Sequence, residues 1–167
     1  PIKNTQSEKY FNNKSYIWDE YLQHDTYDDY WKARNIRTAL KNITVPTLVV
    51  GGWFDAEDLF GALKTYETLE NQQKQNKNHL VMGPWTHGAW AGGDWSKFAT
   101  YDFGSNTSNF FQDSIQTTFF NYYLKDKGIL NIAEATMFET GSNQWKYYPT
   151  WPPKEVTETD YFLNEDN

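Results

Sequence analysis

Two short motifs hold residues that can do chemistry together. Gly51-Gly52-Trp53-Phe54-Asp55 ends in a carboxylate, and Gly83-Pro84-Trp85-Thr86-His87-Gly88 carries an imidazole. A histidine that takes a proton from a hydroxyl needs its second ring nitrogen held by a carboxylate, which fixes the tautomer and stabilises the imidazolium. Asp55 and His87, 32 positions apart, are the residue types for that pair. Each also has a plainer use. An aspartate after a strand often caps the next helix, and Ala56-Glu57-Asp58 begins one. A lone histidine in a loop is commonly structural or solvated. Both together, each after an apolar run closed by glycine, make the catalytic use worth pursuing.

The elements that must position them are legible. Val45-Pro46-Thr47-Leu48-Val49-Val50 is a continuous apolar run with Pro46 tolerable only near its start. Leu80-Val81-Met82 is a second such run. Neither alternates with polar residues, as expected for strands buried on both faces of a parallel sheet. Between them Leu59, Leu63, Tyr66 and Leu69 recur near a period of 3.6, the mark of an amphipathic helix, and a polar linker spans Asn71 to Asn78. Strand, helix and strand make a βαβ unit, and the fold class is α/β. Parallel neighbours deliver the residues after them to one carboxyl edge, where open α/β folds bind ligands. Asp55 and His87 can therefore meet.

In α/β-hydrolases the triad runs Ser, then Asp or Glu, then His, and Asp55 before His87 obeys that order. A Gly-x-Ser-x-Gly turn is missing. Ser105 and Ser142 each follow a glycine without the second one, and Ser7 and Ser15 lie in polar sequence. The expectation is that the nucleophile precedes Pro1 and that the chain is an internal piece of a longer protein, so that alone it turns over no ester. An incomplete sheet would leave open strand edges, and homo-oligomer formation through them is expected.

Elsewhere, residues 1–15 read as a polar loop. A short aromatic helix is expected from Tyr16 to Leu22, and a second from Asp25 as N-cap through Tyr27, Tyr30, Trp31 and Arg34. Gly88 to Asn106 reads as a long functional or covering loop. Thr107 or Ser108 caps a helix with Phe111, Ile115, Phe119 and Tyr122 on one face, stopped near Gly128. From Ile132 onward short β segments turn at Gly141-Ser142-Asn143 and Pro152-Pro153, with Tyr161-Phe162-Leu163 strand-like. The chain thus divides into three regions: a helical cap-like segment 1–44, an α/β core 45–130 and the start of a β domain 131–167.

Composition narrows the partners. Net charge is −7 with 15 scattered basic residues, which argues against nucleic acid. No run of about 18 apolar residues could span a membrane. Cysteine is absent, so disulfides and thiolate chemistry are excluded. Aromatic residues make up 19%, which either line a cleft or fill a core poor in Leu and Ile. The aromatic content also raises a carbohydrate-binding module as a rival, against which the βαβ unit argues. A second rival is a hydrolase-like domain without catalysis. His24-Asp25 with Asp28 matches no strong metal spacing, and His79 opens a strand and reads as structural.

The motifs together resemble the cocaine esterase / X-Pro dipeptidyl-peptidase group of serine hydrolases. Val45-Pro46-Thr47-Leu48 into Gly51-Gly52-Trp53-Phe54-Asp55 is similar to its acid segment, Gly83-Pro84-Trp85-Thr86-His87 to its histidine segment, and Phe119-Phe120-Asn121-Tyr122-Tyr123-Leu124-Lys125 to the helix after it. Phe138-Glu139-Thr140-Gly141-Ser142-Asn143-Gln144-Trp145 with Trp151-Pro152-Pro153 looks like the entry to a C-terminal jelly roll. Tyr27-Asp28-Asp29-Tyr30-Trp31 and Asp55-Ala56-Glu57-Asp58 resemble the α-amino-acid ester hydrolase branch, often labelled glutaryl 7-aminocephalosporanic acid acylases. The resemblance covers about residues 16 to 163. It implies the C-terminal part of an α/β-hydrolase fold, Asp55 orienting, His87 as general base, and a small-molecule ester or amide substrate with no cofactor. It also implies a carboxylate cluster for a substrate ammonium, to which Asp28 or Asp29 corresponds; the alternative is a solvated acidic first turn that favours the helix dipole.

Overall fold

Valine and threonine crowd one another least on a pleated strand, and Thr47–Gly52 forms β1. A computed structural model describes residues 9–12, 14–72 and 77–162. By its internal contacts the chain divides into two units, Pro1–Lys41 and Asn42–Asn167. In the second, α3 (Leu59–Gln72) follows β1 and buries Tyr66 and Leu69, and β2 (Asn78–Gly83) returns parallel to β1. Registers run from Thr47 beside Asn78 to Gly52 beside Gly83, so both strands end level.

The sheet continues with β5 (Ala135–Glu139), parallel to β2, and β6 (Gln144–Tyr148), antiparallel to β5, in the order β1-β2-β5-β6. Every residue of β2 is buried, because it has a strand on each side. In β1 Leu48 and Val50 are only half-buried, because β1 is the outermost strand among the described residues. Full burial on both faces holds for β2 and not for β1.

The sheet continues past the expected break near residue 130. β5 and β6 join the same sheet as β1 and β2 instead of opening a separate one. Among the described residues no strand follows Tyr148: Tyr161 and Phe162 are not in one, and Leu163 lies outside the described residues. The turn at Gly141-Ser142-Asn143 is where expected, with Gly141 and Asn143 at positive φ joining β5 to β6.

The long segment after His87 contains a 3₁₀ turn, Ala89–Ala91, and a two-stranded ribbon of β3 (Lys97–Phe98) and β4 (Tyr101–Asp102). The next helix runs as α4 (Thr107–Phe110), a π-helical stretch Phe111–Gln116, and α5 (Thr117–Lys125). Its cap is Asn106, whose side chain accepts the Asn109 N–H, rather than Thr107 or Ser108. Those two are buried and tie down the preceding loop. Thr107 Oγ1 donates to the Trp95 carbonyl, and Ser108 Oγ to the Gly93 carbonyl. The helix ends at Asp126 in the left-handed conformation, two residues before Gly128.

In the first unit, α1 (Tyr16–Gln23) is capped by Ser15. The next helix, α2 (Asp29–Ala33), starts later than expected. Its cap is Asp28, not Asp25, because Asp28 has the extended backbone and offers Oδ1 to the Tyr30 N–H. The Trp31 indole donates to the His24 carbonyl, and the Tyr30 hydroxyl to Glu20, holding α2 against α1. Most of residues 1–15, including Ser7, lies outside the described residues, as does the centre of the linker, 73–76.

Candidate active site

The carboxyl ends of β1 and β2 are bound to one another beyond the last ladder pair. The Trp53 N–H donates to the Gly83 carbonyl and the Phe54 N–H to the Trp85 carbonyl. The approach needs glycine: a Cβ on Gly52 would lie 2.1 Å from the Trp85 oxygen. Trp85 is fully buried against Val81, Phe111 and Ile115, and its indole donates to Thr107 Oγ1 at 3.0 Å. Packing of that ring fixes the backbone from which His87 projects two residues later.

Asp55 has two jobs, one for each oxygen. Oδ1 accepts the N–H groups of Glu57 at 2.8 Å and Asp58 at 2.9 Å, closing the turn into α3. Oδ2 lies 3.1 Å from His87 Nδ1. The plain reading as a turn cap and the reading as histidine partner are thus satisfied at once. The Asp55 side chain is 1% exposed and that of His87 50%. Nδ1 faces the protein, and the edge of the Trp90 ring approaches the imidazole at 6.5 Å between centroids.

The electrostatics follow from these contacts. The Asp58 N–H, then the Glu57 N–H and His87, hold the Asp55 carboxyl below the ordinary carboxylate range, against the opposing effect of burial. The hydrogen bond to Asp55 and its negative charge raise His87 above the ordinary 6.5, with Glu57 and Asp58 adding to the same side. A carboxylate that stays ionised beside an imidazole made more basic is the arrangement a general base needs.

A family model described as X-Pro dipeptidyl-peptidase (S15 family) matches residues 2–89, more than half of the chain. The chain belongs to the X-Pro dipeptidyl-peptidase (S15) family. Two curated mycobacterial proteins that carry provisional serine esterase names, from Mycobacterium bovis and Mycobacterium tuberculosis, are each 30% identical over 118 residues. That stretch is 69% of this chain and 17% of theirs. Among solved structures, an aminopeptidase from a marine sediment Thaumarchaeota archaeon superposes with a TM-score of 0.82 at 32% identity, covering 97% of this chain and 26% of that one. An α-amino acid ester hydrolase superposes at 0.81 and 28% identity, covering 87% and 24%. The mainly parallel sheet with its helices matches these α/β-hydrolase-like neighbours.

The S15 chain's other singled-out residues take quieter places. Asp28 spends both oxygens locally: Oδ1 on the Tyr30 N–H and Oδ2 on His24 Nδ1 at 2.6 Å. The hydrogen bond from His24 holds its carboxyl below the ordinary range. Asp29 has a fully exposed side chain, 3.1 Å from Lys32 Nζ. His79 is buried in β2 with Nδ1 at 2.9 Å from the Ala133 carbonyl. Ser15 caps α1, and the Ser142 hydroxyl binds the Glu139 carboxylate in the β5–β6 turn. One neighbour of His87 escaped sequence reasoning as a site residue. Asp58 Oδ2 stands 3.6 Å from Nδ1. Its spacing was a usable signal, since residues i and i+3 across a helix start share a face.

Proposed function

We propose that this chain supplies the acid and base, Asp55 and His87, of a serine hydrolase that cleaves ester or amide bonds through an acyl-enzyme. The nucleophile and oxyanion hole come, in this reading, from sequence outside these 167 residues. The observation that carries it is a buried carboxylate hydrogen-bonded to Nδ1 of a half-exposed histidine, at the carboxyl edge of two parallel strands.

The chemistry follows from that geometry. With Nδ1–H donated to Asp55 Oδ2, Nε2 carries the lone pair. It takes the proton of a serine hydroxyl as the oxygen attacks the carbonyl carbon, and the imidazolium is stabilised by the Asp55 charge. The proton passes to the departing alcohol or amine as the C–O or C–N bond breaks. A water then repeats the sequence on the acyl-enzyme: Nε2 removes its proton, and the serine oxygen leaves with that proton.

For substrate class we favour α-amino acyl compounds. The names aminopeptidase and α-amino acid ester hydrolase among the neighbours point that way. Asp28 and Asp29 are the carboxylates we assign to the substrate ammonium, an ionic recognition that disfavours neutral esters. Asp28 is already engaged with His24 and Tyr30, so Asp29, whose fully exposed side chain pairs with exposed Lys32, is the freer partner. A C-terminal jelly-roll domain, expected to begin within residues 131–167, belongs to the same proposal. The outer edge of β1, unpaired among the described residues, supports self-association of the isolated chain.

The test is active-site labelling of the full-length polypeptide with a fluorophosphonate, beside Asp55→Ala and His87→Ala. One serine on a Gly-x-Ser-x-Gly turn should label, and both substitutions should suppress it. Labelling that ignores His87, or no labelling at all, would replace this reading with a hydrolase-like domain without catalysis.

A further inference from the structure

His87 faces more than one carboxylate. Asp55 Oδ2 is at hydrogen-bond distance, 3.1 Å, and Asp58 Oδ2 stands behind it at 3.6 Å from the same Nδ1. The second distance is too long for a hydrogen bond and well within ion-pair range. Asp58 is not placed there by chance of a loose side chain alone. Its backbone N–H is bound to Asp55 Oδ1 at 2.9 Å, and its carbonyl accepts the Ala62 N–H at 2.9 Å as α3 begins. The residue that holds His87 therefore also holds the backbone of the second carboxylate.

We propose that Asp58 is a second positioning carboxylate for His87, acting on the charged imidazolium formed in the reaction and taking over the Nδ1–H when Asp55 is lost. The inference rests on Asp55 and His87 being the acid and base. The neutral ring needs a single acceptor for its Nδ1 proton, and Asp55 supplies it. Once Nε2 has taken a proton, the ring carries a full positive charge, and a second negative group 3.6 Å away stabilises that state more than the neutral one. Three acidic groups, Asp55, Glu57 and Asp58, raise the imidazole's basicity, while partial burial opposes them. Asp58 is 66% exposed, so water screens its share and the effect is a modest one.

A plainer role competes. A carboxylate in the turn before a helix favours the positive end of the helix dipole and stabilises the fold without touching the chemistry. The two roles separate on the ring itself. In Asp58→Asn we expect the His87 ring titration, followed by NMR, to fall by about half a unit. The acid limb of kcat in the full-length hydrolase should move down equally, and kcat should drop about threefold with KM unchanged, since half a unit corresponds to about a threefold change. Asp58→Glu, which keeps the charge, should restore most of both. On an Asp55→Asn background, removing Asp58 as well should cost at least a further fivefold or so, because no carboxylate then remains on Nδ1.

The dipole role predicts something else: lower stability in Asp58→Asn with the His87 titration and the kcat profile unmoved. That result, or a double variant no worse than Asp55→Asn, overturns the inference. If instead His87→Ala keeps full activity, it is the acid–base reading that has failed.

Discussion

At the carboxyl ends of β1 and β2, Asp55 sits among donors; at the amino end of β2, Glu70 and Glu134 sit beside one another. The same strands thus present two acidic sites in opposite electrostatic states. Asp55 accepts two backbone N–H groups and faces an imidazole, and its carboxyl is held below the ordinary range although it is buried. Glu70 accepts an amide N–H from Asn78 at 2.9 Å, but burial and the neighbouring Glu134 carboxylate push it above the ordinary 4.5. The Tyr66 hydroxyl donates to Glu134 at 2.6 Å, and burial together with that carboxylate raises the phenol and keeps it protonated. Burial acts alike on both acids. What differs is the surroundings: fixed backbone N–H groups and an imidazole lower the Asp55 carboxyl, whereas burial and a neighbouring carboxylate raise that of Glu70.

Activity should separate the two acidic sites most widely. If the proposed triad holds, Asp55→Asn in the full-length polypeptide should lower kcat/KM by about 10³ to 10⁴-fold, the scale on which a triad acid acts. Glu70→Gln should leave it within about twofold. Equal losses would mean that the amino-end cluster reaches the chemistry or that Asp55 does not.

Stability should show the reverse emphasis. Tyr66 is 2% exposed and its hydroxyl crosses from α3 to the residue before β5. Tyr66→Phe should cost about 1–3 kcal/mol in urea unfolding, because the part-buried hydrogen bond from its hydroxyl to the Glu134 carboxylate is lost. The His87 titration should not change. A cost near zero would remove the cluster from the forces that hold β5 to the βαβ unit.

The pH dependence of stability sharpens the contrast further. Glu70 binds its proton more tightly folded than unfolded, so its contribution is full below the ordinary 4.5 and is lost as pH rises through its raised folded value. Asp55 runs the other way, contributing above the ordinary 3.8 and losing that as pH falls through its lowered folded value. His87 contributes fully below the ordinary 6.5 and loses it as pH rises through its raised value. Glu70→Gln should flatten the decline that begins above 4.5 and leave the acid limb of Asp55 in place. Parallel curves for variant and wild type across that window would contradict the assignment.

The two ends were unequally legible in the sequence. Asp55 and His87 each follow an apolar strand closed by glycine, so local pattern and chain order were enough to pair them. Their geometry was not foreseen in one respect: the cap and the histidine partner are one carboxylate, which needs the orientation of both its oxygens. The amino-end cluster gave no signal beyond Tyr66 and Glu70 at i and i+4, because Glu134 arrives from 68 residues after Tyr66 through sheet pairing. The same limit applies to the strand that follows residue 130. Ala-Thr-Met-Phe-Glu reads as any short strand, and only its parallel register with Leu80 to Met82 makes it part of the first sheet. Helix caps missed by one to three residues, Asp28 for Asp25 and Asn106 for Thr107, are choices between neighbouring side chains that tertiary contacts decide. Thr107 was unavailable because its hydroxyl accepts from Trp85 and donates to Trp95.

The smallest expected effect joins the two ends. α3 starts just after Asp58 and carries Glu70 near its other end, so one helix connects the low site to the raised one. Gly61 lies in its first turns, where glycine costs backbone entropy that alanine does not. A Cβ there would meet the Asp58 side chain at 3.5 Å, an ordinary contact. Gly61→Ala should therefore stabilise the chain by about 0.5–1 kcal/mol in urea unfolding. If the helix is only a spacer, neither the His87 titration nor the pH limb of Glu70 moves with it. A shift of His87 alone would mean that the added methyl displaces the Asp58 carboxylate, which tests the placement of that second charge from the side. A shift at both ends would mean that α3 transmits strain between them, and the two acidic sites would then have to be treated as one coupled system.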